Sequence, residues 1–141
     1  MTIAAILRTK SDVVASLPTT ARVADAVALL AERRIGAVPV MDGETVAGIF
    51  SERDLVHGVA RDGTAVLDRA LGEVMTSPVQ SVAPGHDVID ALSLMTRRRI
   101  RHLPVVEDGR MIGFVSIGDL VKYRIDRIEA EASAMRDYIQ Q

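Results

Sequence analysis

Apolar and polar positions along the chain switch between two periods. Val23, Ala26, Val27, Leu30 and Ile35 recur near the 3.6-residue period of an amphipathic helix, with Arg33 and Arg34 at its end, where cations suit the helix dipole. Val88, Ala91, Leu92 and Met95 predict a second helix of the same kind. Each is followed by an apolar run, Ala37-Val38-Pro39-Val40 or Leu103-Pro104-Val105-Val106, then an Asp-Gly turn at Asp42-Gly43 or Asp108-Gly109, then a glycine-led strand. That order predicts a hairpin. Pro39 removes a ladder donor and so predicts an edge or a place where something other than backbone lies alongside. A short strand is expected before each helix, at 13–17 and 79–82, and a connection over 60–69. The pattern is strand, helix, strand, strand, helix, twice over.

The two halves are copies. Placing 11–56 over 76–121 without a gap, an offset of 65, pairs 46 positions, of which 16 are identical. Chance would give about two or three, so the chain reads as an internal repeat. The boundaries expected are 1–66 for the first copy, 67–124 for the second and 125–141 for a helical extension.

The most informative shared stretch is Gly48-Ile49-Phe50-Ser51-Glu52-Arg53-Asp54, matched by Gly113-Phe114-Val115-Ser116-Ile117-Gly118-Asp119. In each, a strand turns into a helix with a hydroxyl at the turn and a carboxylate three residues on. A helix start offers N–H groups and positive dipole to a phosphate, and a carboxylate has two acceptors for the paired hydroxyls of a ribose. Ser-x-x-Asp is equally the signature of a capping box that needs no ligand. The recurrence of the glycine three residues before each serine is more than a cap requires.

Composition narrows the function further. With 141 residues, 48% hydrophobic, a formal charge of −2 and no cysteine, the chain can enclose a core and has no disulfide, thiolate ligand or cysteine nucleophile. Near-neutral charge and 3% aromatic content argue against nucleic acid and an anionic membrane. No uncharged run reaches the ~18 residues of a membrane span, and the apolar start to Leu7 is too short for a signal segment, so a cytoplasmic protein is expected. His57, His86 and His102 have no metal-ligand spacing, no nucleophile has an adjacent base, and the six methionines read as core filler. Neither a metal site nor an enzyme is expected.

The repeated hydrophobic-Pro-Val, Asp-Gly and Gly-x-x-Ser-x-x-Asp-Leu-Val sequence, with Glu73-Val74-Met75-Thr76 opening the second copy, resembles a tandem pair of CBS (cystathionine β-synthase type) domains, a Bateman module. The resemblance implies an α/β (α+β) fold of two pseudo-twofold β-α-β-β-α repeats packed through their sheets. It further implies regulation rather than catalysis, by AMP, ADP, ATP, NAD(H) or S-adenosylmethionine in clefts between the repeats. Carried over by position, Ser51 and Ser116 contact phosphate and Asp54 and Asp119 hold ribose. Val14, Ser16, Val38, Pro39, Val79, Ser81, Leu103 and Pro104 line the adenine. Arg101 and His102 stand where the family often has basic residues that reach polyphosphate, whereas the first copy has Gly36 and Ala37. The Asp119 cleft is therefore expected to be the better one for a phosphate chain, with Arg53 compensating beside Asp54. The implied partners are an adenosine-containing small molecule, a second copy in a homodimer and an unknown regulated protein. A ligand-free interaction module is the alternative.

The tail from Lys122 to Gln141 lacks glycine and proline. Val121, Ile125, Ile128, Ala132, Met135 and Ile139 are spaced 4, 3, 4, 3 and 4, the a/d seam of a coiled coil, flanked by charges of both signs. The stripe is expected to pack on a twofold mate or along the partner module.

Overall fold

The computed structural model describes residues 1–10 and 13–140. Ser11, where the first copy of the repeat begins, and Gln141, where the tail ends, lie outside the described residues. The chain runs α1 (Ile3–Thr9), β1 (Leu17–Pro18), α2 (Val23–Arg33), β2 (Ala37–Asp42), β3 (Thr45–Ser51), α3 (Glu52–Asp62), a 3-10 helix (Gly63–Asp68), α4 (Leu71–Val74), α5 (Val88–Arg98), β4 (His102–Glu107), β5 (Arg110–Ser116) and α6 (Ile117–Gln140).

Both hairpins form with matching register, Pro39 opposite Ile49 and Pro104 opposite Phe114, and both have an irregularity after the valine that follows proline. Gly43 and Gly109 at their turns have φ of 64° and 79°, the left-handed region where glycine is unstrained. The two strands expected before the helices are largely not made. The first shrinks to Leu17–Pro18, parallel to Val40 and Met41, and the second to a single bridge between Val82 and Val105. β2 is therefore a central strand only at its far end, and Pro39, which can give no N–H, sits just before the paired stretch.

Each amphipathic helix buries its apolar stripe as its period requires: Val23, Ala26 and Leu30 in α2, Val88, Ala91 and Met95 in α5. Two cores result, and they do not follow chain order. Val66 and Leu71, after the first copy's last helix, complete the core of α2, β2 and β3. Ile3 and Ile6 of α1, before the first copy, complete the core of α5, β4, β5 and α6. Ile6 and Leu71 are 65 positions apart, so each is the other's counterpart, buried in the opposite half. Backbone bonds secure the exchange: the Val88 N–H donates to the Met1 carbonyl at 3.1 Å, and the Val23 N–H to the Arg69 carbonyl at 2.9 Å.

This crossing explains the recurrent glycine. A Cβ at Gly48 would lie 2.5 Å from Met75 Sδ and 2.9 Å from the Thr76 carbonyl oxygen, and one at Gly113 would lie 2.5 Å from a Leu7 methyl carbon. The glycine-led strands are where the crossing segments pass. β3 and β5 lie against one another, joining the halves through their sheets, and the Met111 N–H donates to the Glu44 carbonyl at 3.3 Å. Among the described residues no helix is long and apolar enough to cross a membrane.

Candidate functional site

The strand-to-helix turns are capping boxes in both copies. The Ser51 N–H donates to Asp54 Oδ2 at 2.9 Å and the Ser116 N–H to Asp119 Oδ2 at 2.8 Å. The returning bonds, from the Asp54 and Asp119 N–H groups to the serine hydroxyls, are 3.4 and 3.0 Å. The first helical N–H of α3 is taken by the Gly36 carbonyl at 3.1 Å and that of α6 by the Arg101 carbonyl at 2.8 Å. Much of each helix start is thus already paired, and the ligand chemistry rests on side chains facing open space.

Two such spaces stand out among the described residues, each built from both halves. A cavity of about 400 Å³ is lined by Ser51, Glu52, Arg53 and Asp54 of the first half and by Thr76, Val79, Arg99, Arg101 and His102 of the second. The other, about 560 Å³, joins Ser116 and Asp119 of the second half to Lys10, Val14, Arg33 and Arg34 of the first. Both volumes fall in the range of small-molecule sites.

Arg101 lines the Asp54 cavity, on the opposite side from the one expected, although its carbonyl caps the helix start of its own repeat. His102 borders both cavities. Val14 and Val79 are brought to the Asp119 and Asp54 cavities respectively. Other residues expected around the adenine are not walls of either cavity. Val38 and Leu103 point into the two cores, Pro39 and Pro104 are buried in their hairpins, and Ser16 and Ser81 are exposed outside both cavities. In a strand, neighbouring side chains take opposite faces, so contiguous residues cannot all face a ligand.

The carboxylates have different companions. Thr76 Oγ1 donates to Asp54 Oδ1 at 2.7 Å. Lys10 Nζ lies 2.9 Å from Asp119 Oδ2 and donates also to the Phe114 carbonyl at 3.0 Å. Partial burial opposes ionisation of Asp119, yet the Lys10 ammonium and the Ser116 donors hold its carboxyl below the usual range. Burial lowers the His102 pKa, outweighing the pull of the Asp119 charge, and the ring stacks on Phe114 at 5.6 Å between centroids.

Lys10, Thr76, Arg34 and Arg99 were not expected at the site. Lys10 and Thr76 lie at the starts of their copies, and only the crossing brings them to the opposite carboxylate. The two arginines carried a usable signal, an identity 65 apart at a helix end. Both end their helices in the left-handed conformation, with φ of 54° and 55°, which glycine normally fills. Each borders the cavity of the opposite helix start.

Two interleaved halves enclosing paired clefts, each with a helix-start carboxylate, define a tandem-repeat binding module. The chain belongs to the CBS domain family, whose signature matches residues 4–61 and 71–126. It is 36% identical over 121 residues to the mitochondrial CBS domain-containing protein CBSX3 of Arabidopsis thaliana, covering 82% of this chain and 59% of that relative's length. A protein with CBS domains from Burkholderia ambifaria is similar at 40% identity and a TM-score of 0.83, over 89% of this chain and 95% of that one. A CBS domain protein of Pyrobaculum aerophilum, solved in complex with AMP, is similar at 28% identity and a TM-score of 0.74, over 84% and 89% of the two chains.

Proposed function

We propose that this chain is a regulatory sensor of adenosine-containing ligands, taking AMP, ADP, ATP, NAD(H) or S-adenosylmethionine in the clefts between its repeats. The observation that carries the reading is the pairing in each cleft of a helix-start carboxylate with an apolar valine and a left-handed arginine from the opposite half. A carboxylate accepts from both ribose hydroxyls, valine covers a base face, and the guanidinium is a planar donor for phosphate oxygens. The AMP held by the Pyrobaculum protein supports the same ligand class. In this reading Ser51, Arg53, Asp54, Arg101 and Val79 form one site with Arg99, and Ser116, Asp119 and Val14 the other with Lys10 and Arg34, His102 facing both.

The signal is conformational or carried by assembly rather than catalytic. Asp119 stands in the first turn of α6, so ligand at that cleft acts on the root of a 24-residue helix. Isothermal titration with AMP, ADP, ATP, NADH and S-adenosylmethionine tests the proposal. Saturable binding of at least one, weakened by Asp54→Ala or Asp119→Ala, is expected. Failure of all five would leave both Ser-x-x-Asp pairs as caps and favour the ligand-free interaction module.

A further inference from the structure

The described residues leave the apolar stripe of α6 open to solvent. Val121, Ile125, Ile128, Met135 and Ile139 are exposed, from 41% at Val121 to 73% at Ile139, and Ala132 between them is exposed as well. The helix is anchored only at its root, where Leu120 is buried and Ile117 and Tyr123 pack on the second core. Leu120 and Tyr123 occupy heptad positions c and f when Val121, Ile128 and Met135 are d and Ile125, Ala132 and Ile139 are a. Ile117 falls at g beside the seam, and Arg124, also at g, lies 3.9 Å from Met1 Sδ, so the body holds the c, f and g side of the root and leaves the a and d positions from Val121 onward open.

The flanking charges choose the partner. Positions g carry Arg124, Glu131 and Tyr138, and positions e carry Lys122, Glu129 and Arg136. In a parallel, in-register pair each g residue meets the e residue five positions on in the other helix. Arg124 then meets Glu129 of the second copy, and Glu131 meets its Arg136, so every charged pair within the seam is attractive. The antiparallel arrangement that keeps all six layers places Glu129 on Glu129, Glu131 on Glu131 and Lys122 near Arg136, all repulsive. Antiparallel shifts by one heptad restore opposite charges but keep only four layers, and one of them drives each helix tip into the other's body.

We infer that α6 is the zipper of a parallel, two-stranded homodimer, in which two copies of this chain pair in register from Val121 to Ile139. Ala132 in the fourth layer lets two helices close together, and this offsets Val121 and Ile128 at d, where β-branched side chains by themselves suit a core of three or more strands.

The absence of cysteine makes a clean test possible. Ala132→Cys places two thiols face to face only in the parallel register; Ser133→Cys, at an outer b position, is the control. Under mild oxidation the first should give a covalent dimer on a non-reducing gel and the second should not. Sedimentation should give a two-chain mass. Glu131→Arg should weaken association roughly 10-fold, the clash occurring twice, and adding Arg136→Glu should restore it. Far-UV circular dichroism checks the fold, which these exposed positions do not support. A monomeric or three-chain mass, no disulfide at position 132, or indifference to Glu131→Arg would overturn the parallel pair.

Discussion

The two clefts begin with the same Gly-x-x-Ser-x-x-Asp and end with different chemistry. Asp54 accepts from a neutral hydroxyl, Thr76, whereas Asp119 is paired with an ammonium, Lys10. A ribose hydroxyl replaces the threonine hydroxyl like for like. To take ribose at Asp119, a ligand must instead share or break an ion pair; each cleft has three cationic side chains, Arg53, Arg99 and Arg101 beside Asp54 and Lys10, Arg33 and Arg34 beside Asp119, but only Lys10 pairs with the carboxylate itself. The repeat supplies each scaffold; the segment crossing from the other half decides what the carboxylate offers. Asp54 is therefore expected to be the readier acceptor for a ribose hydroxyl, and Asp119 the one already tied to a cation.

The largest expected effect that sharpens this contrast is on ribose. Asp54→Ala should weaken AMP at its cleft roughly 10- to 100-fold, the equivalent of losing hydrogen bonds to a charged acceptor worth about 1.5–3 kcal/mol. Asp119→Ala should cost less, because it also frees Lys10 for phosphate. Equal losses by calorimetry would erase the distinction.

Stability gives a second contrast of similar size. Gly48→Ala should destabilise by about 1–3 kcal/mol, since a Cβ there meets the Thr76 backbone as well as Met75. Gly113→Ala should cost less, because its nearest obstacle is the flexible Leu7 side chain. Thermal denaturation of both variants measures this, and a larger loss at Gly113 would contradict the account of the crossings.

A smaller effect, with opposite signs, is expected from Lys10→Met. Uncharged adenosine should bind the Asp119 cleft several-fold tighter once the carboxylate is free, while ATP should bind several-fold weaker. The pair is partly exposed, which keeps both changes near the upper range for surface ion pairs, about 1 kcal/mol. Tighter ATP binding would show that the ammonium only blocks the site.

The smallest effect is on pH dependence, and it too separates the halves. The folded-state pKa of His102 lies below 6.5, so the unfolded chain takes up the proton more readily. Its contribution is fully present above pH 6.5 and declines as pH falls toward the lowered folded value. Asp119 behaves likewise at lower pH: its contribution is present above pH 3.8 and lost as pH falls through its depressed folded value. Ala37, the counterpart of His102, contributes nothing of the kind. Denaturant unfolding at pH 7.5 and 5.5 should show a loss that His102→Gln reduces. Identical losses in the two proteins would remove His102 as the source.

Much of this was legible because it depends on neighbours in sequence. Helix stripes at 3.6 spacing, Asp-Gly hairpins and Ser-x-x-Asp boxes are local physics, and the offset of 65 made each observation count twice. The apolar stripe of α6 was legible for the same reason. The short strands at 13–17 and 79–82 were not, since an apolar run reveals β propensity but not whether a ladder partner lies alongside.

What the sequence by itself determined was the repeat, its elements and the pair of carboxylates. Only the tertiary structure decided that α1 belongs to the far core, that Arg101 faces Asp54, and that Lys10 closes on Asp119 from 109 residues away. Those contacts join segments distant in the chain, and burial of Ile6 and Leu71 in opposite cores brings them together. Hydrophobic burial is non-directional, so an apolar stripe records that a helix must be covered without recording which core covers it.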